Sequence, residues 1–127
     1  MAVGISSYAA NALFNAIGNA TSFSVTTCYV QLHVGDPGAN GTANTATETT
    51  RKSVSFGAAS GGAISNDAAI TWTNIAGSQD ATHFSLWDAS SGGNFLGSGT
   101  ITAAAYTAGD TYTIASGDLD LSLTVAS

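Results

Sequence analysis

His33 and His83, eight carboxylates, one thiol and many serines are the side chains with which this 127-residue sequence would have to build catalysis. A Ser-His-Asp triad is arithmetically available, but it is recognised by geometry, and there is no Gly-x-Ser-x-Gly elbow to place a nucleophile. A metal site drawn from His33, His83 and a carboxylate lacks any diagnostic ligand spacing. Asp36, Asp110, Asp118 and Asp120 do not reproduce the alternating Asp ligand loop of a calcium site; Asp110 and Asp118 each adjoin a glycine, the ordinary place of Asp in a turn. Gly57 to Gly62 and Gly92-Gly93 join strands rather than opening a helix, so no phosphate cradle is formed. Cys28 stands alone and can make neither an internal disulfide nor a multi-cysteine metal site. The expectation is a protein with no catalytic residue, no cofactor and no bound metal.

Composition points the same way. Charged residues are 8% of the chain, against roughly 25% in an average soluble protein. The polar surface must therefore be hydroxyl and amide, which suits a protein packed against neighbours or placed outside a cell. With two cations and a net charge of −6, the chain lacks the phosphate-neutralising charge that nucleic-acid binding requires, and it has no polybasic patch for an acidic membrane. Its apolar residues alternate with Ser and Thr instead of running for ~20 positions, so no transmembrane helix is expected. The first twenty residues lack a basic n-region and are interrupted by Ser and Asn, unlike a signal peptide.

The elements follow from periodicity. Ile5, Tyr8, Ala9, Ala12, Leu13, Ala16 and Ile17 recur at spacings of three and four, predicting a short helix capped by Ser6 or Ser7 and ended by Gly18. From Phe23 the period becomes two. Cys28, Val30, Leu32 and Val34 fall on one face and Tyr29, Gln31 and His33 on the other, while the opposite parity of Phe23 and Val25 predicts a bulge or bend near Thr26-Thr27. Further short strands are predicted around Val54 and Phe56, Ile64, Ile70 and Trp72, Phe84 and Leu86, Phe95 to Ile101, and Tyr112 and Ile114. Leu119, Leu121, Leu123 and Val125 make the cleanest alternation of all. Gly97 and Gly99 suggest a bulge or close backbone approach within their strand. Seven to eight such strands separated by Gly-rich turns predict an all-β fold, an antiparallel β-sandwich of jelly-roll or Greek-key type, with one short N-terminal α-helix. A single domain over residues 1–127 is expected, with a helix or arm in 1–20 and the sandwich in 21–127.

The chain's landmark is Leu32-His33-Val34-Gly35-Asp36-Pro37-Gly38-Ala39-Asn40-Gly41, where a strand runs into the tight-turn chemistry of Asp36-Pro37-Gly38. The loop from Gly35 to Thr50 is about 16 residues long, well beyond the usual connection of about four to six. Its residues Asp36, Pro37, Gly38, Asn40, Asn44 and Glu48, with Arg51 and Lys52 at its far end, are candidates for an assembly interface. Tyr8 and Leu13 on the helix, and Tyr29 and Trp87 on the sheet face opposite the core, complete the set. Arg51 and Lys52 are expected to pair with Glu48 or with an acidic patch on a neighbour. The loop reads as an arm ordered by another subunit, whose removal between Ala39 and Thr47 leaves a folded monomer. Trp87 also offers a platform on which a carbohydrate could stack.

Val30 to Gly38, Gly41, Asn44, Thr50-Arg51-Lys52 and Val54 to Gly62, continued by Thr82-His83-Phe84-Ser85-Leu86-Trp87-Asp88-Ala89-Ser90-Ser91-Gly92-Gly93-Asn94-Phe95-Leu96, resemble small structural proteins of tailed-bacteriophage virions. The resemblance covers roughly residues 28 to 125 and brings no catalytic residue with it. It implies a non-enzymatic virion component, made in the host cytoplasm, whose partners are other virion proteins. Two roles follow from it: a capsid decoration or cement protein bound to the major capsid protein, as a homo-oligomer and specifically a trimer, or a tail or tail-fibre module near the host-recognition apparatus. The small domain without a coiled-coil stalk favours the first.

Overall fold

A computed structural model describes residues 3–127. Its elements are α1 (Ser7–Gly18) and eight strands: β1 (Cys28–His33), β2 (Lys52–Val54), β3 (Ala63–Ser65), β4 (Ile70–Trp72), β5 (Gln79–Trp87), β6 (Phe95–Tyr106), β7 (Tyr112–Ile114) and β8 (Asp120–Ser122). The Ser6 side chain accepts a hydrogen bond from the Ala9 N–H at 3.1 Å, satisfying one of the donors that every helix start leaves free. Immediately before it, residues 4–6 run along the outer edge of β6. Ile5 bridges Gly97, and the Ser6 N–H donates to the Leu96 carbonyl at 2.9 Å.

All strand pairs are antiparallel, in one four-stranded sheet of order β2-β1-β5-β6 and two ribbons, β3-β8 and β4-β7. The expected fold class is therefore observed, an antiparallel sandwich-like arrangement with one N-terminal helix, its second layer split into two ribbons. Val30, Leu32, Phe84 and Leu86 face the core from the sheet. Ile70 and Trp72 of β4 stand opposite Ile114 and Tyr112 of β7 and bury the inner face of that ribbon, while Thr71 and Thr113 point outward. A register shift beside Leu86 sets the extra residue Leu96 in β6 and brings both Leu96 and Leu86 into the core. Buried Asn66 ties the second layer together: its Nδ2 donates to the carbonyls of Ala68 and Ala115, and its Oδ1 accepts from the N–H groups of Gly117 and Leu119.

Gly97 and Gly99 do mark close approach. A Cβ at Gly97 would lie 2.8 Å from Leu121 Cδ1, and one at Gly99 would lie 2.6 Å from the Phe84 ring and 3.0 Å from the Asp120 carbonyl. β6 can pass under β8 only because those positions carry no side chain.

Three sequence expectations need correction. Residues 21–27 form no strand, although the bend expected near Thr26-Thr27 is present at Thr26 and lets Phe23, Val25 and Cys28 all pack against the core. The final alternation is a strand only over β8, with one further hydrogen bond from the Leu123 N–H to the Gly62 carbonyl: Leu119 is buried and Leu121 half-buried, but Leu123 and Val125 are exposed. The helix stripe runs past its support. Ala9 is buried and Leu13 half-buried, whereas Ala16 and Ile17 are exposed, and Phe14 is 72% exposed on an adjoining stripe.

Candidate functional site

The sheet has a second face. Directly opposed pairs Tyr29–Trp87, Gln31–Ser85 and His33–His83 place polar and aromatic side chains on the side away from Val30, Leu32, Phe84 and Leu86. The sequence predicts His33 and His83 to be surface or interface side chains, and Tyr29 and Trp87 to dock a neighbouring subunit or lie under the N-terminal helix ahead of binding a sugar. The face is covered instead. His33 and Ser85 are fully buried and Trp87 is only 8% exposed, because the loop from Gly35 to Thr50 and the turn between β5 and β6 fold back over them.

Within that face His33 Nδ1 lies 2.8 Å from the Ala43 carbonyl and Nε2 lies 2.7 Å from Ser85 Oγ. A carbonyl can only accept, so Nδ1 carries the proton and Nε2 accepts from the Ser85 hydroxyl. The Ser85 oxygen accepts in turn from Trp87 Nε1 at 2.8 Å. Burial holds the His33 imidazole below its ordinary pKa of 6.5, against the opposing effect of the backbone carbonyls of Ala43 and Asn44. A histidine beside a serine is the geometry of an activated nucleophile. Here both groups are sealed from solvent, and the serine oxygen is already engaged on both sides.

The loop that seals them is knotted by its own residues. The Gly38 N–H donates to Asp36 Oδ1 at 2.8 Å with Gly38 at φ 78°, so the Asp-Pro-Gly turn forms as expected. Asn44 Nδ2 donates to the Asp36 carbonyl at 2.8 Å, closing the base of the excursion. Pro37, Gly41 and Ala46 are buried, and Asn40 sits exposed at the tip. The Ala46 N–H donates to the Leu32 carbonyl, and the Thr47 N–H to Gln79 Oε1. The loop expected as an arm ordered by a neighbour is held by these bonds along its own chain, with Ala46 seated in the core.

Arg51 does not pair with Glu48. Its guanidinium lies 4.1 Å from the centre of the Trp87 ring, donates through Nε to Gln31 Oε1, and through Nη1 to the carbonyls of Ala89 and Gly92 at 2.9 and 2.7 Å. It joins the loop's far end to β1 and to the β5–β6 turn, which Asp88 fixes by accepting from the Asn94 N–H and Nδ2. Those bonds, the backbone one foremost, hold the Asp88 carboxyl below the usual carboxylate range. Glu48 is buried, and its two oxygens accept from the N–H groups of Thr50 and Ala76. Burial pushes its carboxyl upward, but the hydrogen bonds outweigh this and the net displacement is downward. Trp72 reaches the same place from the other layer, its Nε1 donating to the Thr50 carbonyl at 2.9 Å. Lys52 stands half-buried in β2.

Thus the structure gathers Tyr29, Arg51 and Trp87 into one cluster and Asp36, Pro37, Gly38 and Asn44 into one knot. Tyr8 and Leu13 lie elsewhere. Tyr8 packs edge-on against Phe23 with ring centres 6.2 Å apart. Leu13 lines an open, almost wholly apolar cavity of about 370 Å³ shared with Ala9, Phe23, Val25, Cys28 and Leu123. Sequence reasoning missed Gln31 and Ser85 because their partners lie 20 and 52 positions away in the chain, and Asp88 because the turn it braces through Asn94 matters only once Arg51 is docked on it. The hairpin connection legible at Ser90-Ser91-Gly92-Gly93 pointed toward that cluster.

The family described as Podophage GP4 fiber I protein gp80 matches residues 4–122. The chain belongs to this family. It is a small, fibre-like virion protein of the tailed-phage type, as its resemblance to phage virion proteins implies, and a fibre protein associates with other virion proteins. No curated protein matches the sequence. The match begins at the residues that pair along β6 and ends at the last residue of β8, so the fibre I family is defined over the helix, both layers and the long loop together. Among the described residues no helix is long and apolar enough to cross a membrane, and no three metal-ligating side chains converge.

Proposed function

We propose that this chain is a non-catalytic fibre module that joins other virion proteins near the host-recognition apparatus, in place of the capsid-decoration role that the small domain alone favours. The observation that carries this reading is the fibre-family match from residue 4 to residue 122, which spans the helix, both layers and the long loop. The sealed Ser85–His33 pair supports the absence of catalysis: no substrate reaches either group. A glycan platform at Trp87 loses its support as well, since Arg51 already occupies the ring face. The module works as a homo-oligomer. The deciding experiment is copy number and position in purified particles, by quantitative mass spectrometry with antibody labelling. Few copies that stay with isolated tails support the fibre role; on the order of hundreds of copies spread over the shell, whose removal makes heads burst at lower temperature, overturns it.

A further inference from the structure

The helix carries more apolar surface than the fold uses. Ala9 and Leu13 face the sheet, but Phe14, about 100° further round, and Ile17, one turn past Leu13, project beyond that support. Ala10 is half-buried, and Phe14 and Ile17 are 72% and 81% exposed. Two large apolar side chains standing free on one helix form a projecting knob. On the other side of the same helix, the 370 Å³ apolar cavity opens to solvent between Leu13, Phe23, Val25, Cys28 and Leu123. Phe14 follows Leu13 by one residue, about 100° around the helix, and points away from this opening; the knob cannot fill the hole of its own chain.

Charge decides what can approach here. The molecule has a net charge of −6, yet the first 35 residues contain no Asp, Glu, Lys or Arg, and all eight carboxylates follow from Asp36 onward. The recess where two copies would meet is likewise lined by no charged residue. At the helix end they meet through Ala, Leu, Phe, Ile and uncharged Asn amides, where association carries little like-charge repulsion. A basic partner would find nothing to pair with on this surface. The same end thus supplies an unfilled apolar recess, apolar side chains to fill it, and a charge-free approach for another −6 molecule.

We infer that the helix end is a self-association surface, on which Phe14 and Ile17 of one copy seat in the cavity beside Leu13, Val25 and Cys28 of a second. The inference takes up the homo-oligomer of the reading above, and its test is independent of where in the particle the protein sits. Burying one Phe and one Ile per contact makes these two residues the anchors of the interface.

Cys28, the only thiol in the chain, lines the recess and serves as the reporter. Full-length Phe14→Cys is incubated with oxidised glutathione and resolved without reductant, followed by peptide mapping. The expected product is a disulfide between the introduced thiol and Cys28 of another copy, absent in the Phe14→Cys/Cys28→Ser variant. In parallel, sedimentation velocity on Phe14→Ser and Ile17→Asn should show self-association weakened about tenfold or more relative to the parent chain, with an unchanged far-UV spectrum. These positions are exposed, so folding should survive. A parent chain that stays monomeric across the concentration range, a product linked only through the two introduced thiols, or an oxidised monomer would each overturn the inference.

Discussion

The two pieces of chain laid over the four-stranded sheet are made of opposite materials. The Gly35–Thr50 loop covers the polar face through hydrogen bonds placed one by one: Ala43 on His33, Ala46 on Leu32, Asn44 on Asp36, Thr47 on Gln79. The N-terminal helix packs beside β6, and its apolar face leaves a recess unfilled. A hydrogen-bonded cover can be complete because every donor and acceptor has a defined partner. An apolar cover is complete only when volume is matched, and one helix of 12 residues does not match it. The polar side of the molecule is therefore closed, and the apolar side keeps an open recess.

Deleting Ala39–Thr47 should break this contrast most severely. It removes Ala46 from the core, strips His33 of its acceptor and uncovers Phe95, against which Gly41 packs. Each buried group left unpaired costs about 1–3 kcal/mol, so the melt should lose its cooperative transition; a variant that melts like the parent would restore the free-arm view. Next in size, His33→Leu should lower stability in a denaturant melt by about 2–4 kcal/mol, because the Ser85 hydroxyl and Ala43 carbonyl are both orphaned.

The pH dependence sharpens the same point. Since the folded pKa of His33 is depressed, the unfolded chain binds the proton first as pH falls below about 6.5, and folding stability should decline from there downward. Glu48 and Asp88, whose folded pKa values are also depressed, hold their contribution above their ordinary range and lose it only at more acidic pH. Urea melts between pH 7 and 5 should show the histidine slope in the parent and a flat profile in His33→Leu. At the small end, Ile17→Asn should change monomer stability by less than about 0.5 kcal/mol, as exposed positions do.

How far the sequence reaches is visible in particular residues. β1, β4, β5 and β7 were legible because alternation is a local property of half-buried strands. The burial of His33 was not, since it depends on a carbonyl ten residues away and a hydroxyl 52 residues away. Val34 shows the same limit in reverse: it keeps the parity of Leu32 but lies beyond the strand's end and is 38% exposed. Arg51 was singled out, but toward Glu48, because sequence proximity suggests ion pairs where the fold supplies an indole face and two carbonyls.

Thr50 and Arg51 are neighbours in the chain, and each is gripped by a tryptophan from a different layer, Trp72 through its indole N–H and Trp87 through its ring face. These are the chain's two tryptophans. Its intrinsic fluorescence is therefore an optical gauge of whether the loop's far end is docked. A refolding experiment followed by tryptophan emission would register the closing of that clasp, while circular dichroism registers the sheet beneath it.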